Sequence, residues 1–272
     1  MTFADLHLHS SCSDGTDSPK ELARKAHRAG FSCIALVDHD TVDGVPACIE
    51  EGRMLGLEVI PGIELTAEHE GSEIHILGYL IDWERADFRE KLRELQKNRV
   101  ERIYAMIKKL ADAGIILDPQ AVFSLSGQGT VGRLHLARAM VKAGIVSHVS
   151  EAFKRFIGDR GPAYVAHFKL SPAEAIAMIS ATGGIPVLAH PYSLNNDSMI
   201  GFLAGQGLRG IEVYYPEHSQ SMINFYQRKA EEFGLLMTGG SDYHGAAKPE
   251  LVLGELKLPY ELVQKLKDAK KI

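Results

Sequence analysis

Cysteine is scarce in this sequence: there are three residues, Cys12, Cys33 and Cys48, an odd number with no C-x-x-C spacing. That argues against a disulfide framework and a zinc ribbon, and makes a reducing, cytoplasmic setting the expectation. Long apolar runs are missing too. No window of eighteen apolar residues occurs, and the opening MTFADLHLHS has neither a basic nor an apolar leader segment, so no membrane association is expected. Internal repeats and low-complexity tracts are absent. Positive charge is in deficit, with a formal net charge of -5, whereas binding duplex DNA requires a basic face.

The chain has 272 residues, 45% of them hydrophobic and 24% charged, with Gly and Pro scattered between apolar runs. This is the profile of a globular enzyme with one large domain. Its charge is unevenly spread. Residues Lys97 to Lys169 hold twelve Lys and Arg against five Asp and Glu, so this stretch is net basic and the remainder strongly acidic. A basic insert beside an acidic body suggests an anionic substrate.

Short runs rich in Val, Ile and Leu alternate with amphipathic stretches, the pattern of βα units around a parallel sheet. Strands are expected at Phe3 to His7, Cys33 to Val37, Glu58 to Ile60 and Ile74 to Tyr79. Between the first two, Ser18 caps and Pro19 starts a helix that Gly30 ends. The alternation stops after Asp82, where a charged helix from about Arg85 to Ala113 is followed by SLSGQGTVGR and two more helical stretches. It resumes with Ile185 to Ala189, Gly210 to Tyr214 and Leu236 to Thr238. The expected class is α/β, a barrel formed by residues 1–99 and 169–272 and interrupted by a helical insertion at 100–168 that caps the active site.

Active sites of α/β barrels lie at the carboxyl ends of the strands, where the following loops converge. Those ends are where this sequence concentrates histidine and carboxylate. Strand alternation places His7 and His9 on one side with Leu8 on the other. Asp14 follows in SCSDG, His39 in VDHD, Glu64 in GIE, His75 in EIH, His190 in AHP, and Asp242 and His244 in GSDYH. Nine such side chains exceed the needs of one tetrahedral zinc and suit two or three ions bridged by a carboxylate. Mixed imidazole and carboxylate donors without thiolate favour manganese, iron or zinc.

DLHLHSSCSDG, VDHD, GIE, EIH, AHP and GSDYH together resemble the successive motifs of the PHP (polymerase and histidinol phosphatase) superfamily. The resemblance implies a distorted (β/α)7 TIM-like barrel holding two or three divalent ions, Mn2+ foremost, with Fe2+ or Zn2+ as alternatives. It further implies that His7, His9 and Asp242 hold one ion, that Glu64 bridges it to a second completed by His75 and His190, and that Asp14, His39 and His244 hold a third. Glu64 and Asp242 would then be catalytic. VGRLHLARAMV resembles the bacterial branch that removes the 3'-phosphate of nucleoside 3',5'-bisphosphates, such as adenosine 3',5'-bisphosphate, and trims short RNA from its 5' end.

Substrate contacts are expected from the insertion. Ser126 to Arg133 is glycine-rich and opens a helix, where free N–H groups favour anions. Ser126, Thr130 and His135 are candidates there, and Arg133 and Arg160 offer planar forks to phosphate oxygens. His135 and His218 are candidate acids for the leaving alcohol, while His27, His69, His148 and His167 read as structural. The insertion aromatics, among them Tyr104, Phe123 and Phe168, have helical spacing that points mostly to core packing. The competing readings are a histidinol phosphate phosphatase, whose pocket should be acidic, and a non-catalytic metal-binding regulatory module, which should have lost ligands.

Overall fold

A computed structural model describes residues 2–166, 170–194 and 196–270; His167 and Phe168 lie outside the described residues. The chain begins with β1 (Phe3–Leu8), α1 (Pro19–Arg28), β2 (Cys33–Leu36), α2 (Val45–Leu55), β3 (Glu58–His69) and β4 (Ser72–Tyr79). Ser18 and Glu21 form a reciprocal capping box at the start of α1, and Pro19 sits in its first turn. Residues 86–157 form α3 (Ala86–Asp112), α4 (Pro119–Ser126), α5 (Arg133–Lys142) and α6 (Val149–Ala152), which runs into a π-helical turn over Phe153–Ile157. Then come α7 (Pro172–Ala181), β5 (Ile185–Leu188), α8 (Ser198–Gly205), β6 (Gly210–Tyr214), α9 (Gln220–Phe233), β7 (Leu236–Gly239), β8 (Leu258–Pro259) and α10 (Glu261–Lys270).

The strands form one sheet in the order β7-β6-β5-β4-β3-β2-β1-β8. A parallel bridge from Leu8 to Tyr243 brings the carboxyl ends of β1 and β7 together, so the sheet curls into a nearly closed α/β barrel. It departs from the expected seven parallel strands in two respects. The two-residue β8 adds an eighth strand, antiparallel to β1. In addition, β3 continues to His69 and turns back as β4, which is antiparallel to both β3 and β5. Glu70 and Gly71 both have positive φ, 50° and 79°, as the tight turn of a hairpin requires. Glutamate is an unusual residue for that turn, which is why the sequence reads there as two separate strands. Helix α4 also escapes the pattern, because its start at Asp118-Pro119 and its apolar face span only eight residues.

Alternation divides the strands into two faces. Leu8, Ile63, Leu65, Ile76, Ile211 and Val213 join Leu22, Ala26, Ile176 and Ile200 in a core between sheet and helices. The intervening His7, Glu64, His75 and Glu212 therefore face the other way. A separate apolar cluster, including Ile103, Met106, Leu110, Val122, Leu136, Met140 and Ile157, holds the helices of the insertion together. Helix α3 belongs to both bodies: Phe88, Leu92 and Leu95 pack on the barrel and Ile103 onward on the insertion. No helix among the described residues is long and apolar enough to cross a membrane.

Candidate metal centre

At the carboxyl end of the barrel the nine predicted ligand residues converge. The Nε2 atoms of His7 and His9 lie 3.1 Å apart, and each is 3.3–3.4 Å from Asp242 Oδ1. Glu64 reaches both clusters with separate oxygens. Its Oε2 is 3.3 Å from His7 Nε2 and 3.1 Å from His9 Nε2, whereas its Oε1 is 2.9 Å from His75 Nδ1 and 3.2 Å from His190 Nε2. His244 Nε2 lies 3.1 Å from Asp14 Oδ1, and His39 Nε2 lies 3.9 Å from Asp14 Oδ2. His39 also turns Nδ1 toward Glu64 Oε2 at 3.3 Å, so it borders two of the groups.

Three sets of donor atoms each fit within 4.8 Å: His9, Asp14, His39 and His244; His7, His9 and Asp242; and His39, Glu64 and His75. His9 Nδ1, Asp14 Oδ1, His39 Nδ1 and His244 Nε2 are buried without a hydrogen-bond partner. Buried polar atoms are rarely left unpaired, and divalent cations would satisfy all four. The residues therefore fit a multinuclear centre. Backbone strain marks the same place. Asp40, His190 and Asp242 have φ of 50°, 25° and 50°, three of the five non-glycine residues with positive φ among the described residues. Gly240 permits the close crossing of β7 over β1, since a Cβ there would meet His7 Cβ at 2.3 Å.

Electrostatics without metal show how strongly these groups are coupled. Burial raises the Glu64 carboxyl, but His39, His75 and His7 outweigh it and hold Glu64 well below the usual carboxylate range. Asp242 behaves likewise, with burial overcome by Lys248, His244 and His7. Burial alone would lower His7, yet Glu212, Glu64 and Asp242 raise it well above the ordinary imidazole value.

The supporting residues are those that local sequence reading missed. Glu212 is fully buried on β6, accepts from His7 Nδ1 at 2.9 Å and accepts the backbone N–H of His190 at 2.8 Å. It thereby turns His7 Nε2 toward the metal side, the usual carboxylate-to-imidazole arrangement behind a metal ligand. Its only signal in the sequence is a lone acid within the apolar strand GIEVY. Glu73 does the same for His75, accepting from Nε2 at 2.8 Å. Asp242 Oδ2 is held by the Tyr215 hydroxyl at 2.9 Å and by Lys248 at 3.0 Å. In the VDHD motif only His39 enters the centre. Asp38 accepts from Ser10 and Ser13, fixing the loop that carries Asp14, and Asp40 pairs with Arg99.

The expected substrate residues are placed differently. Arg133 is mostly buried, 3.1 Å from Glu73 and 2.6 Å from Asp159, with the Phe153 and Tyr164 rings at 5.5 Å, so protein groups already occupy its fork. Thr130 donates its hydroxyl to the His39 carbonyl at 2.7 Å, and Ser126 donates to the Phe123 carbonyl at 3.1 Å; both hold backbone. Arg160 is exposed. His135 does approach the centre: it is 1% exposed, feels the charges of Asp14 and His244, and is pushed down to about 4, mainly by burial. One turn further along α5, half-buried Arg138 lies within electrostatic range of Asp14 and has no acid within 4.0 Å among the described residues. His218 hydrogen-bonds the Val213 carbonyl through Nδ1 at 2.8 Å and sits among Tyr192, Tyr215 and Tyr226.

Comparison with known proteins agrees with this geometry. The PHP domain family matches residues 5–117. A 5'-3' exoribonuclease of Haemophilus influenzae is 34% identical over 246 residues, covering 88% of this chain and 89% of that protein. A 3',5'-nucleoside bisphosphate phosphatase of Chromobacterium violaceum is 29% identical over 250 residues, covering 90% and 88%. Among solved structures, a candidate metal-dependent phosphoesterase from Bifidobacterium adolescentis superposes with a TM-score of 0.88 at 29% identity, covering 97% of this chain and 94% of that one.

Proposed function

The chain belongs to the PHP domain family of metal-dependent phosphoesterases, and from that premise we propose that it hydrolyses the 3'-phosphate of nucleoside 3',5'-bisphosphates to leave the 5'-monophosphate. The observation that carries the reading is the division of Glu64, one oxygen toward His7 and His9 and the other toward His75 and His190. His7, His9, Asp242 and Glu64 would hold one ion; Glu64, His75 and His190 a second; Asp14, His39 and His244 a third. Divalent ions held there, Mn2+ foremost in this reading, would supply Lewis acidity toward water and the phosphoryl oxygens.

The protein groups divide the remaining work. Glu212 and Glu73 orient the imidazoles, and Tyr215 and Lys248 hold Asp242 so that Oδ1 faces inward. Arg138, which has no acid within 4.0 Å among the described residues, would grip the substrate's second phosphate in place of the occupied Arg133, and so distinguish a bisphosphate from a monophosphate. His135 stays neutral at physiological pH and can accept or relay a hydrogen bond, but is too weak a base to arrive protonated. A histidinol phosphate phosphatase would need an acidic subsite for the substrate ammonium, and Arg138 and Lys248 beside the centre oppose one.

Phosphate release from adenosine 3',5'-bisphosphate with manganese, run beside histidinol phosphate, AMP and a short 5'-phosphorylated RNA, tests the proposal. Selective, chelator-sensitive turnover of the bisphosphate is expected. Selective turnover of histidinol phosphate would replace this reading, and metal binding without turnover of any of the four would make the chain a metal-binding module.

A further inference from the structure

The groups that hold the clustered histidines and carboxylates in place come from two bodies. On one side the barrel supplies its own supports: Glu212 of β6 accepts from His7 and from the His190 N–H, while Tyr215 and Lys248 hold Asp242. On the other side the supports come from α3 and the insertion. His39 and His75, whose rings stand edge to face with centroids 4.8 Å apart, border this side, and each is held through near neighbours in the chain.

Glu73 precedes His75 by two positions on β4, so both side chains lie on one face of the strand. Its Oε1 accepts from His75 Nε2 at 2.8 Å, which leaves Nδ1 directed at Glu64 Oε1, 2.9 Å away. The other oxygen is gripped by two guanidinium groups, Arg102 of α3 at 2.9 Å and Arg133 of α5 at 3.1 Å. One carboxylate is thus shared between an imidazole and the insertion. Arg102 also donates to the Val165 carbonyl at 2.8 Å and Arg133 pairs with Asp159 at 2.6 Å, so both arginines are tied into the insertion. His39 is held from the same side. Thr130 donates its hydroxyl to the His39 carbonyl at 2.7 Å and its N–H to the Cys12 carbonyl at 3.0 Å. Arg99 pairs with Asp40, which has a φ of 50°, and Gln96 donates to the Asp40 carbonyl at 3.0 Å. A Cβ at Gly129 would meet the Ser11 and Cys12 carbonyl oxygens at 2.7 and 2.8 Å, so this loop packs directly on the segment between His9 and Asp14.

Groups behind a metal-binding imidazole fix its tautomer and direction, and their loss typically weakens metal affinity about tenfold to a hundredfold. We propose that the insertion is a metal-positioning element: through Glu73 it holds His75, and through Thr130 and Arg99 it holds His39, so that ions in the groups containing these two imidazoles bind tightly only with the insertion docked. Linkage is reciprocal, so the same ions fasten the insertion to the barrel. The group of His7, His9 and Asp242, whose supports Glu212, Tyr215 and Lys248 all belong to the barrel, is independent of it. The inference rests on the reading of the cluster as a metal centre and adds that its two halves answer to different parts of the chain.

The test measures Mn2+ binding to the chelator-stripped full chain by equilibrium dialysis and calorimetry, with hydrogen exchange of the α5 amides read before and after loading. Wild type is compared with Glu73→Gln, Thr130→Val and Glu212→Gln, each checked for folding by circular dichroism. Glu73→Gln should weaken one class of Mn2+ sites about tenfold to a hundredfold and leave another within about twofold. Glu212→Gln should weaken the class that Glu73→Gln spares. Loading should slow α5 exchange in wild type, and less so in Glu73→Gln. Thr130→Val removes one hydroxyl and leaves the buried charges paired; it should weaken Mn2+ binding about fivefold, and it carries the test through His39 should Glu73→Gln fail to fold. Folded variants that bind every Mn2+ as wild type does, or loading that leaves α5 exchange unchanged, would overturn the inference and leave the metal centre in place. Equal weakening of all classes in Glu73→Gln would mark general loosening and overturn it too. Wild-type protein that takes up no Mn2+ would overturn the metal-centre reading itself.

Discussion

The barrel end and the insertion use charge in opposite ways. At the barrel end, histidines and carboxylates crowd together with several buried atoms unpaired, an arrangement that is unfavourable until cations fill it. In the insertion and its junction with the barrel, the buried arginines are instead paired with acids. Arg99 pairs with Asp40, Arg102 with Glu73, and Arg133 with Glu73 and Asp159. Three of the cations that the sequence presents as a substrate-binding surface, Arg99, Arg102 and Arg133, therefore fasten this region to acids of the barrel. Regional net charge shows that a partner of opposite sign exists, but the partner can be the rest of the chain.

The sharpest break in the comparison is at Glu64. Glu64→Gln should lower bisphosphate turnover by about a thousandfold or more while the fold persists, because one carboxylate oxygen faces each cluster and an amide cannot serve both. Steady-state kinetics beside circular dichroism measure this, and near-normal turnover would remove the shared-carboxylate model. The arginines of α5 come next. Arg133→Ala should cost about 3 kcal/mol of stability by leaving Glu73 and Asp159 short of a partner, with little change in KM. Arg138→Ala should raise KM for the bisphosphate roughly tenfold to a hundredfold with little loss of stability. Urea unfolding and kinetics on both variants decide it, and exchanged phenotypes would show that Arg133 is the phosphate contact after all.

The smallest effect concerns pH. Burial pushes His135 down to about 4, so the unfolded chain takes up its proton near 6.5 while the folded protein refuses it until about 4. Stability contributed by this group is complete above pH 6.5 and is lost as pH falls through that window, on the order of 2 kcal/mol by pH 5. His135→Gln, which keeps an acceptor for the Gly132 N–H, should flatten that part of the profile. Identical pH dependence of unfolding in the two proteins would assign the acid sensitivity elsewhere.

The clustering of these histidines and carboxylates was legible because their placement follows from local rules. Strand alternation puts His7 and His9 on one side, and chain direction puts Asp14, His39 and Glu64 just past or along strands at one end of the barrel. The β3–β4 hairpin and α4 were not legible, since Glu70 at a positive-φ turn and an eight-residue helix carry weak signals. The substrate residues were hardest to read. A glycine-rich helix start and a fork-shaped side chain describe Arg133 correctly, but they say nothing about Glu73 waiting sixty residues upstream.

The sequence by itself determined the family, the α/β class and the identity of the clustered imidazoles and carboxylates, because periodicity and strand-end position are properties of neighbours along the chain. Only the tertiary structure decided which acids stand behind the clustered imidazoles, as Glu212 does for His7, and which cations have no acidic partner among the described residues, as with Arg138. Long charged side chains pair across the fold with whatever packing brings within reach, and no spacing in the sequence names that partner.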